Sequence, residues 1–162
     1  MPSSNKSLGV VFVCTGNICR SPMGEVILRD AVEREGLGQQ VHVSSCGTGG
    51  WHIGQGADRR ALSALRHKGF DGSAHKAAQI GEEAEHADLL IALDRGHQQA
   101  LLKLGYDPER IRLLRSFDPQ ADTEDVEDPY YGDAKDFATA RDQILDATPG
   151  IIQWIKEHLR EH

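Results

Sequence analysis

Cysteine is scarce in this chain, and methionine and tryptophan are scarcer still: three, two and two residues among 162. Cys14, Cys19 and Cys46 are odd in number and follow no framework spacing, which excludes the disulfide scaffold of a small secreted domain and fits a reducing compartment. Cys14 and Cys19 lie too far apart for the usual paired-cysteine zinc knuckle, and the eight histidines are scattered, so no metal is expected. Basic charge is also in short supply. Eighteen Lys and Arg against 25 Asp and Glu leave a formal charge of -7 and a pI near 5.6, which disfavours nonspecific nucleic-acid binding and polybasic attachment to membranes. Long apolar runs are missing too. Leu8 to Val13 follows a polar stretch and is far shorter than a signal-peptide core or a membrane span, so a cytoplasmic location without membrane contact is expected. There is no internal repeat or low-complexity segment. The length suits one domain over residues 1–162, with residues 1–7 expected to be flexible.

Against that plain background one stretch stands out. Cys14-Thr15-Gly16-Asn17-Ile18-Cys19-Arg20-Ser21 lies between the apolar run Val10-Val11-Phe12-Val13 and Pro22. The run suits a buried strand, while Ser21 and Pro22 read as a helix start, serine capping free amides and proline occupying the first helical position. Free backbone N–H groups and the positive end of the helix dipole favour an anion there, and a compact turn through Gly16 and Asn17 aims further amides inward. Asparagine tolerates the left-handed backbone that such a turn requires. A phosphate fits this cradle. Cys14 adds a nucleophile whose thiolate is favoured by the positive surroundings, and Arg20, six residues on, adds a guanidinium able to grip two phosphate oxygens. A lone cysteine would read as a buried strand end and a lone arginine as surface charge. Strand, thiol, glycine, arginine and helix start in register argue otherwise.

Four apolar runs suit buried strands, Leu8 to Val13, Val41 to Ser45, Asp88 to Leu93 and Ile111 to Leu114, with helical periodicity between them. One helix carries Met23, Val26, Ile27 and Ala31 on one face and ends near Gly36; a second spans Ala57 to Lys68. A short acidic turn precedes His86, Asp94 is placed to cap a helix running to Gly105, and a last helix starts near Asp133. Pro149-Gly150 falls inside that last helix, where a kink or a split is expected. Alternating strands and helices imply an α/β fold, a parallel sheet with right-handed crossovers and helices on both faces, with Cys14 to Ser21 at the carboxyl ends of the strands where ligands bind.

The stretch Cys14, Gly16, Asn17, Cys19, Arg20, Ser21 and Pro22 resembles the active-site signature of the low-molecular-weight protein tyrosine phosphatases, nearest in appearance to their actinobacterial branch. That resemblance, which covers the chain from Val11 to the last helix, implies a three-layer sandwich with a four-stranded parallel sheet in the order 2-1-3-4. It implies hydrolysis of phosphotyrosine in a protein or peptide through a cysteinyl-phosphate intermediate, with inorganic phosphate as product, no cofactor and a monomeric enzyme. Thr15 and Ile18 then complete the floor and rim of the pocket. From composition alone, Phe117 to Asp133 is a solvated acidic loop. Its Asp128-Pro129-Tyr130-Tyr131 resembles the family's general-acid loop, which makes Asp128 the expected proton donor to the leaving phenol. Crowding by Asp125, Glu127 and bound phosphate is expected to keep part of it protonated near neutrality, giving a bell-shaped rate profile with a mildly acidic optimum. Trp51-His52, after the glycine-rich turn at Cys46-Gly47-Thr48-Gly49-Gly50, resembles the family's variable specificity loop, with Tyr130 and Tyr131 as the opposite wall. The likeness also implies that Ser21 hydrogen-bonds the sulfur, that Asn17 braces the loop with His75, and that Cys19 can close a reversible disulfide with Cys14. Cys46 is expected in the core.

Two other functions remain open on these residues. Arsenate reductases share the fold and the Cys-x5-Arg loop but relay oxidation through a later cysteine pair, and this chain has no cysteine after Cys46. A non-catalytic phosphopeptide-binding module would need neither the thiol nor the acid.

Overall fold

The structure, a computed structural model, describes residues 8–160; the flexibility expected of residues 1–7 lies outside the described residues. Four strands, β1 (Leu8–Cys14), β2 (Val41–Gly47), β3 (Leu89–Ala92) and β4 (Ile111–Leu113), form one sheet in the order β2-β1-β3-β4, every pairing parallel. The first strand is central and apolar on both faces, as a doubly covered parallel strand must be. Its alternation divides the interior. Leu8, Val10, Phe12 and Cys14 point into one cluster with Met23, Ile27 and Leu28, while Val11 and Val13 point into a second with Leu90, Ala92 and Leu101.

The helices that cover these faces follow from the same pattern. The larger cluster is closed by α1 (Arg20–Arg34), α2 (Arg59–His67) and α5 (Ala134–Arg160), the smaller by α3 (Glu82–His86) and α4 (Arg95–Lys103). The result is the expected sandwich of helices on both faces of the sheet. Asp58 and Asp94 cap α2 and α4, accepting from the amides of Arg60 and His97 at 2.8 and 2.9 Å. The acidic turn before His86 is a single helical turn, α3. Truncating a core residue such as Phe12 should cost about 3–5 kcal/mol.

Two readings of helix ends are corrected. The split at Pro149-Gly150 does not occur: α5 runs continuously from Ala134 to Arg160. Proline inside a helix costs about 3 kcal/mol. Here that is offset by burying Ile144, Ala147, Ile151, Ile152 and Ile155, and Gly150 lets the helix press on the Phe117 carbonyl, which a Cβ would approach to 2.2 Å. Likewise Ser21 does not cap α1. The helix begins at Arg20 after Cys19, so Ser21 sits in its first turn and its hydroxyl is turned to the loop before it.

Candidate active site

The loop between β1 and α1 is fixed from below and from one side. Cys14 is the last residue of β1 and pairs with Gly47, the last of β2. Beyond them Thr48 and Gly49 donate to the carbonyls of Cys14 and Thr15, both at 2.9 Å, so the glycine-rich turn lies along the loop. A Cβ at Gly47 would stand 2.6 Å from the Thr15 carbonyl oxygen; only glycine leaves room for this approach. Asn17 takes φ 60°, the left-handed turn expected of it.

Asn17 is also the hub of a buried network. Its Nδ2 donates to Ser21 Oγ at 2.8 Å and to Ser45 Oγ at 2.9 Å, its Oδ1 accepts from the Ala78 amide at 2.8 Å, and its carbonyl accepts from His75 Nε2 at 2.7 Å. The contact between Asn17 and His75 is thus present, and it fixes a proton on Nε2. Nδ1 of His75 faces Glu25 at 3.6 Å, and Glu25 accepts from Ser45 and pairs with Arg29. Burial by itself would raise the Glu25 carboxyl, but its contacts with His75, Ser45 and Arg29 outweigh it and hold the group below its ordinary value. Ser21 closes the network onto the sulfur: its Oγ lies 2.8 Å from Cys14 Sγ.

Arg20 is almost fully buried, and one edge of its guanidinium is anchored. Nη1 donates to Asp94 Oδ2 at 2.8 Å and to the Val126 carbonyl at 2.6 Å. Nη2 reaches toward Asp128 Oδ2 at 3.7 Å. Asp94 therefore has two duties, capping α4 and orienting Arg20. Its carboxyl is held below its ordinary value, burial being outweighed by the Arg20 hydrogen bond and by His97. His97, at the start of α4, lies with Nε2 2.9 Å from Thr15 Oγ1, and burial pushes it down to about 4, so the ring is neutral at pH 7. Asp94 and His97 were not among the residues expected at the site. Asp94 had a sufficient reason as a cap, and nothing local to His97 marks it as facing a loop 82 residues earlier.

Asp128 is half-exposed, its side chain 46% accessible, and its Oδ1 accepts from the Tyr130 amide at 3.1 Å. Asp125, expected to crowd it, is engaged elsewhere and accepts from the Arg95 amide at 2.9 Å. Tyr130 and Tyr131 meet edge to face with centroids 4.9 Å apart, and Arg60 lies over the Tyr130 ring. Trp51 and His52 come in from the segment after β2. A cavity of about 360 Å³ is lined by Cys14, Thr15, Gly16, Ile18, Cys19 and Arg20 below and by Trp51, His52, Asp128, Tyr130 and Tyr131 around the mouth. Asn17, Ser21 and His75 support it from beneath, whereas Cys46 lies in the smaller core cluster. All three cysteines are free thiols. Burial pushes the Cys19 thiol far up and that of Cys46 up to about 12. No group of three or more His, Cys, Asp or Glu is placed to hold a metal among the described residues.

Residues 9–161 match the family model described as low molecular weight phosphotyrosine protein phosphatase. The chain is 51% identical, over 94% of each sequence, to low molecular weight protein-tyrosine phosphatase A of Mycobacterium tuberculosis. The chain belongs to the low-molecular-weight protein tyrosine phosphatase family. Among solved structures, this phosphatase is similar to the protein tyrosine phosphatase of Entamoeba histolytica (TM-score 0.89, 28% identity, covering 94% of this chain and 99% of that one). It is also similar to the Bacillus subtilis arginine phosphatase YwlE (TM-score 0.84, 29% identity, covering 96% and 100%). The parallel sheet in the order 2-1-3-4 is thus the phosphatase fold that the loop sequence implied.

Proposed function

We propose that this phosphatase hydrolyses phosphotyrosine with Cys14 as nucleophile, Arg20 as phosphate clamp and Asp128 as general acid and base. The observation that carries the reading is the convergence of the three on one cavity: Cys14 Sγ at its base beside Ser21 Oγ, and Arg20 Nη2 and Asp128 at its wall. In the first step Sγ attacks phosphorus in line, the S–P bond forms as the P–O bond to the aryl group breaks, and Asp128 gives its proton to the departing oxygen. Arg20 and the amides of Thr15 to Cys19 stabilise the equatorial oxygens as charge redistributes. In the second step water attacks phosphorus, its proton passes to Asp128, and the S–P bond breaks to release inorganic phosphate. Ser21 eases that departure by hydrogen-bonding the sulfur. A variant of YwlE carries a phosphorylated active-site serine, which supports a covalent phosphoenzyme at the homologous point of this loop.

The substrate end of the cavity favours an aryl ester. Apolar Ile18 and the rings of Trp51, Tyr130 and Tyr131 would flank a phenyl group, and a seryl phosphate would be too short to bring phosphorus to Cys14 while touching them. The enzyme acts as a monomer on phosphoproteins in the cytoplasm; three free thiols fit that reducing compartment. Hydrolysis of para-nitrophenyl phosphate, with Cys14→Ser and Asp128→Asn beside the parent, tests the reading. Loss of turnover in the first variant and a fall of about 10²–10⁴-fold in the second are expected. No phosphate release from the parent, or arsenate-dependent thiol consumption in its place, overturns it, and an Asp128→Asn enzyme as fast as the parent removes Asp128 from the role. Phosphoarginine peptides assayed beside phosphotyrosine peptides check the aryl preference.

A further inference from the structure

Beside the cavity over Cys14 lies a larger groove of about 1400 Å³ between α2 and the start of α5, and the two have Ile18, His52 and Tyr130 in common in their walls. The charge of this groove is opposite to that of the molecule. Arg59 and Arg66 line it from α2 and Lys135 from α5, all three exposed, and among the described residues none of their side-chain nitrogens makes a hydrogen bond or an ion pair. Other cations there are already committed. Arg60 pairs with Asp58, which is the one carboxylate of the lining, and Arg141 donates to the Ala64 carbonyl and pairs with Asp142. Three cations without a bonded partner, Arg66 alone with a carboxylate, Asp71, close enough to feel its charge, stand beside the mouth of the cavity on a chain of net charge -7 and concentrate positive potential along one exit from the site.

Resting on the phosphotyrosine reading above, we infer that this groove receives an acidic stretch of the substrate, Glu or Asp residues on one side of the phosphotyrosine. The geometry suits an extended peptide. Arg59 and Arg66 are seven residues apart, so they share a face of α2 about 10 Å apart along its axis, which is about the reach of three residues of extended chain. Carboxylates two or four residues apart share a face of an extended strand, and with the reach of the long arginine side chains they would meet both arginines, with Lys135 across the groove. Because the molecule as a whole repels acidic peptides, this local field decides which phosphotyrosine sites dock well, through encounter rate and orientation.

The test uses phosphotyrosine peptides with neutral flanks, a Glu tract before the phosphotyrosine, a Glu tract after it, and a Lys tract. Each is assayed for kcat/KM and for affinity with the parent and with a triple variant, Arg59→Ala, Arg66→Ala and Lys135→Ala. One Glu-flanked peptide should exceed the neutral one about fivefold to thirtyfold with the parent, from pairs each of modest strength. That gain should fall to within about twofold in the triple variant and shrink as salt rises from about 0.02 to 0.5 M, while para-nitrophenyl phosphate hydrolysis is unchanged. Arg66→Glu should move the preference toward the Lys-flanked peptide. A parent that gains less than twofold from either Glu tract, or a gain that survives the triple variant, overturns the inference. A parent that releases no phosphate from para-nitrophenyl phosphate overturns the catalytic reading, and the affinities still report on the groove.

Discussion

Replacing Asn17 with alanine should be among the most damaging single changes to the loop, because two independent costs fall on one residue. The side chain donates to Ser21 and Ser45 and accepts from the Ala78 amide. Each lost hydrogen bond costs about 0.5–1.5 kcal/mol net, more where a buried partner is left unmatched. Alanine must also hold φ 60°, a left-handed conformation that costs a non-glycine residue about 1–2 kcal/mol and that asparagine tolerates better. Together these give a loss of about 3–5 kcal/mol. With a urea dependence of about 2 kcal/mol per molar, the unfolding midpoint should fall by about 1.5–2.5 M. Asn17→Gly separates the two costs, since glycine loses the hydrogen bonds but not the backbone fit, and it should recover about 1 kcal/mol relative to Asn17→Ala. Turnover should fall by about 10²-fold in both, because the amides that face phosphate are set by this turn and a misplacement near 1 Å costs that much. An Asn17→Ala midpoint close to the parent's would refute the network; equal midpoints for the alanine and glycine variants would refute the backbone argument.

Gly47→Ala drives a Cβ toward the Thr15 carbonyl and should cost about 1–3 kcal/mol while lowering kcat/KM about tenfold or more; circular dichroism melts and phosphatase assays on the same preparation check it. Stability should decline as pH falls from about 6.5 to about 4, because the unfolded chain protonates His97 in that window while burial keeps the native ring neutral. The loss should approach about 3 kcal/mol and flatten below pH 4 for this group. Glu25 and Asp94, held low in the native state, keep their contributions to lower pH and lose them as pH falls through their depressed values. Urea titrations of the parent and of His97→Gln at several pH values show whether the slope between 6.5 and 4 belongs to His97. Iodoacetamide on the native protein at pH 7 should label no more than one cysteine, since burial keeps Cys19 and Cys46 protonated; mass spectrometry that finds label on Cys46 before unfolding contradicts this.

Elements with a strong local signature were legible in the chain. The four strands, α2, α4 with its aspartate cap, and the left-handed Asn17 all follow from apolar pattern and cap chemistry that act over a few residues. Helix ends were less legible. The start of α1 lies at Arg20 because Ser21 is needed elsewhere, against Asn17 and the Cys14 sulfur, and a hydroxyl cannot serve both that network and a cap. The continuity of α5 through Pro149 was invisible for a similar reason. A proline penalty is local, whereas the burial that outweighs it belongs to the finished core.

What the sequence determined by itself is the reactive loop: thiol, left-handed asparagine and arginine lie within seven consecutive residues, and their spacing on a strand-to-helix turn follows from short-range geometry. What only the tertiary structure decided is what holds and surrounds that loop. Asp94 and the Val126 carbonyl orient Arg20, His97 meets Thr15, His75 and Glu25 brace Asn17, and unpaired cations from α2 and α5 line one exit. The partners that brace the loop lie between 8 and 106 positions from the residue they hold. Contacts at such separations leave no periodicity and no motif; they exist once sheet order and helix packing bring the segments together.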